Sequence, residues 1–105
     1  MMKEDARQWL KEQFGDDAEM TAAVWNEYLS ASTSKITEAR AALAAGDYPL
    51  LDRIAHTIKG NALMVGDQQS ATAGLALRDA AKASDPVAAA KAIDSIDALN
   101  QENHA

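Results

Sequence analysis

The sequence contains no cysteine, which excludes a disulfide framework, a thiolate nucleophile and any cysteine-ligated metal. Its two histidines, His56 and His104, stand far apart. A histidine-based zinc site is thereby excluded as well. Basic residues are scarce: ten Lys and Arg against sixteen Asp and Glu leave a formal charge of −6. That sign is wrong for sequence-independent contact with phosphate backbones or an anionic membrane face, so neither nucleic acid nor a membrane is an expected partner. Long apolar runs are missing too. Met1-Met2-Lys3-Glu4-Asp5 leads into a charged amphipathic stretch, unlike a signal peptide or a membrane span, and the expected setting is the reducing cytoplasm. Aromatic residues make up only 5% of the chain, and much of the 48% hydrophobic content is alanine. Small side chains in that proportion favour closely packed helices over a sheet sandwich, an all-α protein.

A chain of 105 residues suits one domain, 1–105. Gly tends to follow helix ends, while Asp, Ser and Pro tend to open the next helix. Such junctions occur at Gly15-Asp16, at Gly46-Asp47 with Pro49, at Gly66-Asp67 and at Ser84-Asp85-Pro86, where Asp85 suits the N-cap. Five helical segments result. The first, about Glu4 to Phe14, carries Ala6, Leu10 and Phe14 on one stripe with Trp9 and Gln13 beside it, and reads as a lid (1–14) over a bundle end. The second, about Asp17 to Ala45, has an apolar side through Met20, Val24, Tyr28, Ile36, Ala39 and Leu43. Its polar run Ser30 to Ser34 is a place where it can bend or split. The third, about Pro49 to Val65, has the clearest period, with Leu51, Ile54, Ala55, Ile58, Ala62 and Val65 as the buried face. The fourth, about Gln68 to Ala83, offers Ala71, Gly74, Leu75 and Ala81; the fifth, about Asp85 to Gln101, offers Val87, Ala90, Ile93, Ile96 and Leu99. Short connections between neighbours predict an antiparallel up-down four-helix bundle over 15–101, with a frayed tail at 102–105. No second long apolar stripe calls for a dimer, so a monomer is expected.

At about 100° per residue, His56 falls roughly 150° from the apolar stripe of the third helix, with Gly60 almost opposite that stripe. His56 is therefore expected to face water. Leu63 lies two turns away on the same outer side and Met64 is adjacent, which makes the surface a contact patch. Glycine inside an exposed helix costs about 1 kcal/mol relative to alanine. At Gly60, one turn beyond His56, the missing side chain would uncover the imidazole edge to an approaching protein surface. Lys59 can swing its ammonium over the same turn and offset negative charge added to the ring. An imidazole in water titrates at about 6.5, so at pH 7 a ring nitrogen offers a free lone pair for in-line attack on phosphorus. No acidic cluster that would hold Mg²⁺ shares the face, so a partner would have to supply the electrostatic catalysis. Taken singly, each of these residues has a bland reading as an ordinary surface side chain. The shared turn-and-a-half is what raises the functional one.

The run Ala55-His56-Thr57-Ile58-Lys59-Gly60-Asn61-Ala62-Leu63-Met64-Val65-Gly66 resembles the signature of the histidine phosphotransfer (HPt) family, H-x-(L/I)-K-G-x-(A/S)-x-x-x-G. Looser similarity spans about Gly15 to Gln101. The resemblance implies a four-helix bundle displaying a phosphorylatable histidine at position 56, assisted by Lys59 and Gly60. It further implies a phosphoryl group exchanged with the aspartate of a receiver domain or a hybrid sensor kinase, and no cofactor in the module itself. Asn61 stands where a serine is common, and Asp67 where a small apolar residue is common. Arg78 and Lys82, one turn apart on the fourth helix, can add positive potential near His56 if their face turns toward it. Three readings compete: a phosphorelay intermediate, a non-phosphorylated adaptor that binds a receiver or kinase through Leu63 and Met64, and a free-standing enzyme. The last is poorest, because the outer face shows no carboxylate pair, nucleophile triad or phosphate-cradling glycine loop.

Overall fold

A computed structural model describes residues 2–105; Met1 of the expected 1–14 lid lies outside the described residues. The helices are α1 (Glu4–Phe14), α2 (Ala18–Ala44), α3 (Tyr48–Met64), α4 (Gln68–Lys82) and α5 (Pro86–His104). No strand occurs among the described residues. The protein is an all-α bundle.

One local device makes three of the four junctions. Gly46, Gly66 and Ser84 take positive φ, at 68°, 71° and 51°. In each case the next residue, an aspartate, donates its backbone N–H five residues back: Asp47 to Ala42 O, Asp67 to Ala62 O and Asp85 to Ala80 O. This is the Schellman arrangement, which satisfies carbonyls that a helix end leaves unpaired. The same aspartates then cap the following helices, accepting from Leu50, Ser70 and Ala88 N–H, a contribution of about 1 kcal/mol each. A single residue thus closes one helix and opens the next. At the first junction Asp17 caps α2 through Met20 N–H, beyond Gly15 at φ 68°.

Each of α2 to α5 packs on two others in a ring, α2 with α3 and α5, and α4 with α3 and α5, while α1 lies on α2. The larger apolar cluster runs along the bundle and includes Ile36, Leu51, Ile54, Ile58, Leu77, Ile93 and Ile96. Full burial of side chains of this size is worth roughly 1.5–3 kcal/mol each. A second cluster, with Ala6, Leu10, Trp25, Tyr28, Ala62, Val65 and Ala71, occupies the end covered by α1. Between α2 and α5, Thr33 accepts from Asn100 at 3.1 Å, and Arg40 bridges Asp94 and Asp97 at 3.1 and 3.0 Å. The two helices therefore run in opposite directions. Hydrogen bonds donated to the Asp97 and Asp94 carboxylates hold the Arg40 pKa above its ordinary value.

At the α1 end, Asp67 ties four helices together. Its carboxylate is fully buried and accepts from Lys3 Nζ at 2.8 Å, Ser70 N at 3.2 Å, Tyr28 Oη at 2.7 Å and Asn103 Nδ2 at 3.1 Å. Burial alone would raise its pKa, but the hydrogen bonds from Lys3, Tyr28 and Ser70 outweigh burial and hold it below the usual carboxylate range. Burial, with the adjacent Asp67 charge, pushes the Tyr28 phenol well above its ordinary value.

The structure corrects several expectations. α2 passes unbroken through Ser30 to Ser34: the hydroxyls of Thr33 and Thr37 bond back to Leu29 O and Thr33 O at 3.1 and 3.3 Å, so their competition is met within the helix. The tail expected to fray at 102–105 is helical through His104, because Asn103 is buried against Asp67 and a His104 ring nitrogen lies 2.8 Å from Asn100 O. Met20 and Val87, both in the first turns of their helices, point to solvent, and Leu75 is exposed while Leu77 is fully buried. Phe14, at the last turn of α1, is likewise exposed.

Candidate functional site

α3 presents two faces set by its sequence. Leu51, Ile54, Ala55, Ile58 and Ala62 are buried, and His56, midway along the helix, is exposed on the other side. Lys59 and Gly60 are half-exposed on the next turn. A Cβ built on Gly60 would meet no atom within 4 Å, so internal packing does not require glycine there. That open space lies one turn beyond His56 on the same helix. Farther along, Leu63 is 42% and Met64 74% exposed, so apolar groups continue the surface that begins at His56.

Two contacts with Trp9 fix the C-terminal end of this face. Trp9 Nε1 donates to Met64 O at 3.1 Å, satisfying a carbonyl of the last turn of α3. A Cβ on Gly66 would collide with Trp9, so this glycine serves both the left-handed turn and the close approach of α1. Met64 also lines an apolar groove of about 390 Å³ with Phe14, Val24, Tyr28, Asn61 and Val65.

On the opposite flank stands α4. A Cβ on Gly74 would come within 3.1–3.2 Å of Lys59 N and Cα, so the missing side chain lets α4 close onto the turn that follows His56. Arg78, one turn along α4 from Gly74, donates from Nε to Asp52 Oδ1 at 3.1 Å. Higher residue numbers on α4 thus meet lower ones on α3, and the two helices are antiparallel here. Lys82 is exposed one turn beyond Arg78, farther from His56 along the axis. The structure therefore brings His56, Lys59, Gly60, Leu63 and Met64 onto one face of α3, sets Arg78 at its edge, and leaves Lys82 outside. Sequence reasoning missed Asp52, Trp9 and Asp67 as partners of this region. For Asp52 a signal existed, the four-residue spacing that places it one turn before His56. For the other two the partners lie more than thirty residues away in sequence.

Residues 23–103 match the family of Hpt domains. The chain belongs to that family. Hpt domains are helical phosphocarriers, and membership assigns this protein a phosphotransfer role in two-component signalling. No curated protein and no solved structure matches the chain. No helix among the described residues is long and apolar enough to cross a membrane.

Proposed function

We propose that this Hpt domain is a phosphorelay intermediate that accepts a phosphoryl group on His56 and exchanges it with the aspartate of a receiver domain, carried by a response regulator or a hybrid sensor kinase. The observation that carries the reading is the pairing of an exposed imidazole with open space at Gly60 on the following turn. A receiver surface can reach the ring from that side. The unprotonated ring nitrogen forms the N–P bond as the P–O bond to the aspartate breaks. The electron pair leaves with the carboxylate, and the proton on the other ring nitrogen is free to pass to solvent. The receiver supplies Mg²⁺ and the electrostatic catalysis; this chain supplies the nucleophile, the Lys59 charge beside the transferred group and the apolar contacts Leu63 and Met64. Arg78 adds positive potential from α4, and Lys82 a weaker share from one turn farther away. The domain works as a monomer in the cytoplasm, without autonomous catalysis.

Mixing the protein with a phosphorylated receiver domain tests this. The expected product is an acid-labile, base-stable phosphate on the chain that His56→Gln abolishes. Label retained by that variant defeats the assignment of His56. Binding of receivers with no phosphoryl uptake from any donor would establish the adaptor reading instead.

A further inference from the structure

Asp52 and Arg78 form an ion pair beside the histidine that the phosphotransfer reading does not itself require. Asp52 precedes His56 by four residues, so both project from the same side of α3, one turn apart. Gly74 holds α4 against Lys59. With the helices antiparallel, Arg78, four residues on, comes level with Ala55, next to His56. The guanidinium meets Asp52 through Nε alone. Among the described residues, neither Nη nitrogen of Arg78 has a hydrogen-bond partner. A guanidinium carries five N–H donors in a planar fork, so four remain, and two of them, one from each Nη, point in parallel along the free edge where a second anion can bind. Both side chains are 29% exposed, open enough for that anion to arrive and shielded enough for charge to matter.

Resting on the proposed phosphorylation of His56, we propose that Arg78 is shared between Asp52 and the phosphoryl group: Nε stays on the carboxylate while the Nη edge binds phosphoryl oxygens, with Lys59 on the following turn. Before phosphorylation Asp52 neutralises and parks the arginine. Afterwards the two anions compete for one cation, and Asp52 sets how strongly the arginine holds the phosphoryl group. Lys91, exposed on α5, has no place in this arrangement.

The test phosphorylates the purified protein with phosphoramidate, a small donor that needs no docking surface. Its P–N bond breaks with loss of ammonia as the ring nitrogen forms the new P–N bond. A ³¹P NMR titration then reads the pKa of the phosphoryl group. Arg78→Gln is expected to raise it by about half a pH unit or more relative to Lys91→Gln, because a charge lost even about 6 Å away in water is worth that much and one in contact is worth more. Arg78→Lys restores most of the difference. Asp52→Asn shifts it the opposite way, and that shift shrinks in the Arg78→Gln background, the non-additivity of a shared contact. Equal titrations for Arg78→Gln and Lys91→Gln overturn the sharing, as does strict additivity of the Asp52 and Arg78 effects. Failure of the wild-type protein to take label at His56 from phosphoramidate or a phosphorylated receiver would sink the functional reading as well, which separates the two failures.

Discussion

Replacing Asp67 with alanine removes the acceptor of four hydrogen bonds at once, from Lys3, Ser70, Tyr28 and Asn103. Loss of the α4 cap alone costs about 1 kcal/mol. The larger effect comes from a buried hydroxyl, a buried amide and a lysine only 17% exposed that are left without their anion. Removing one member of a buried ionic network costs about 3–5 kcal/mol, a large part of the roughly 5–15 kcal/mol by which a domain is stable. At about 4–8 °C per kcal/mol for a chain of this size, the melting temperature falls on the order of 20 °C. Thermal and urea unfolding followed by far-UV circular dichroism measures this. A loss of less than about 1 kcal/mol would mean that only the cap matters and refute the network argument. The pH dependence has a definite sign. Because the folded pKa of Asp67 lies below its unfolded value, its contribution is fully present above the unfolded value of about 3.9 and disappears as pH falls through the lower folded value. Asp67→Asn keeps an acceptor for the cap but sets an NH2 group against other donors. It should therefore be less stable at neutral pH and show a flatter acid limb.

Gly60→Ala separates folding from access: open space at the Cβ position predicts a gain of about 1 kcal/mol in urea unfolding. Phosphorylation by a receiver should slow about tenfold, the kinetic equivalent of about 1.4 kcal/mol of docking cost, while labelling by phosphoramidate is unchanged. An equal loss with both donors would contradict the docking role. Ser84 holds the φ of 51° that glycine holds at the other junctions, so Ser84→Gly should stabilise the fold by about 0.5–1 kcal/mol once the greater freedom of unfolded glycine is deducted. A decrease in urea midpoint would show that the serine hydroxyl supports the turn.

Much of the architecture was readable because it is encoded locally. The junctions at Gly46 and Gly66 each pair a residue suited to the left-handed turn with an aspartate suited to a cap, and the α3 stripe from Leu51 to Val65 repeats at helical spacing, with every member buried. The candidate face was readable for the same reason, since His56, Lys59, Gly60 and Leu63 are arranged by one helix. Interactions between helices were not. Leu75 and Leu77 look alike to a hydropathy pattern, and only the placement of α3 and α5 decides that Leu77 is the buried one. Asn103 resembles a solvent-facing tail residue until Asp67, on another helix, makes it part of the interior. Asp67 itself was recognised as turn chemistry alone, because three of its four partners come from other helices.

Lys3 and Asn103 reach the same carboxylate, which sets the upstream and downstream strands of the polypeptide side by side. A tether joined before Lys3 and another joined beyond Asn103 would leave in company from the α1 pole. The Gly46 and Ser84 turns at the far pole would stand clear of both. Such a unit can be spliced into a host protein across a narrow gap, without stretching either linker and without hiding the imidazole, which stands midway along α3.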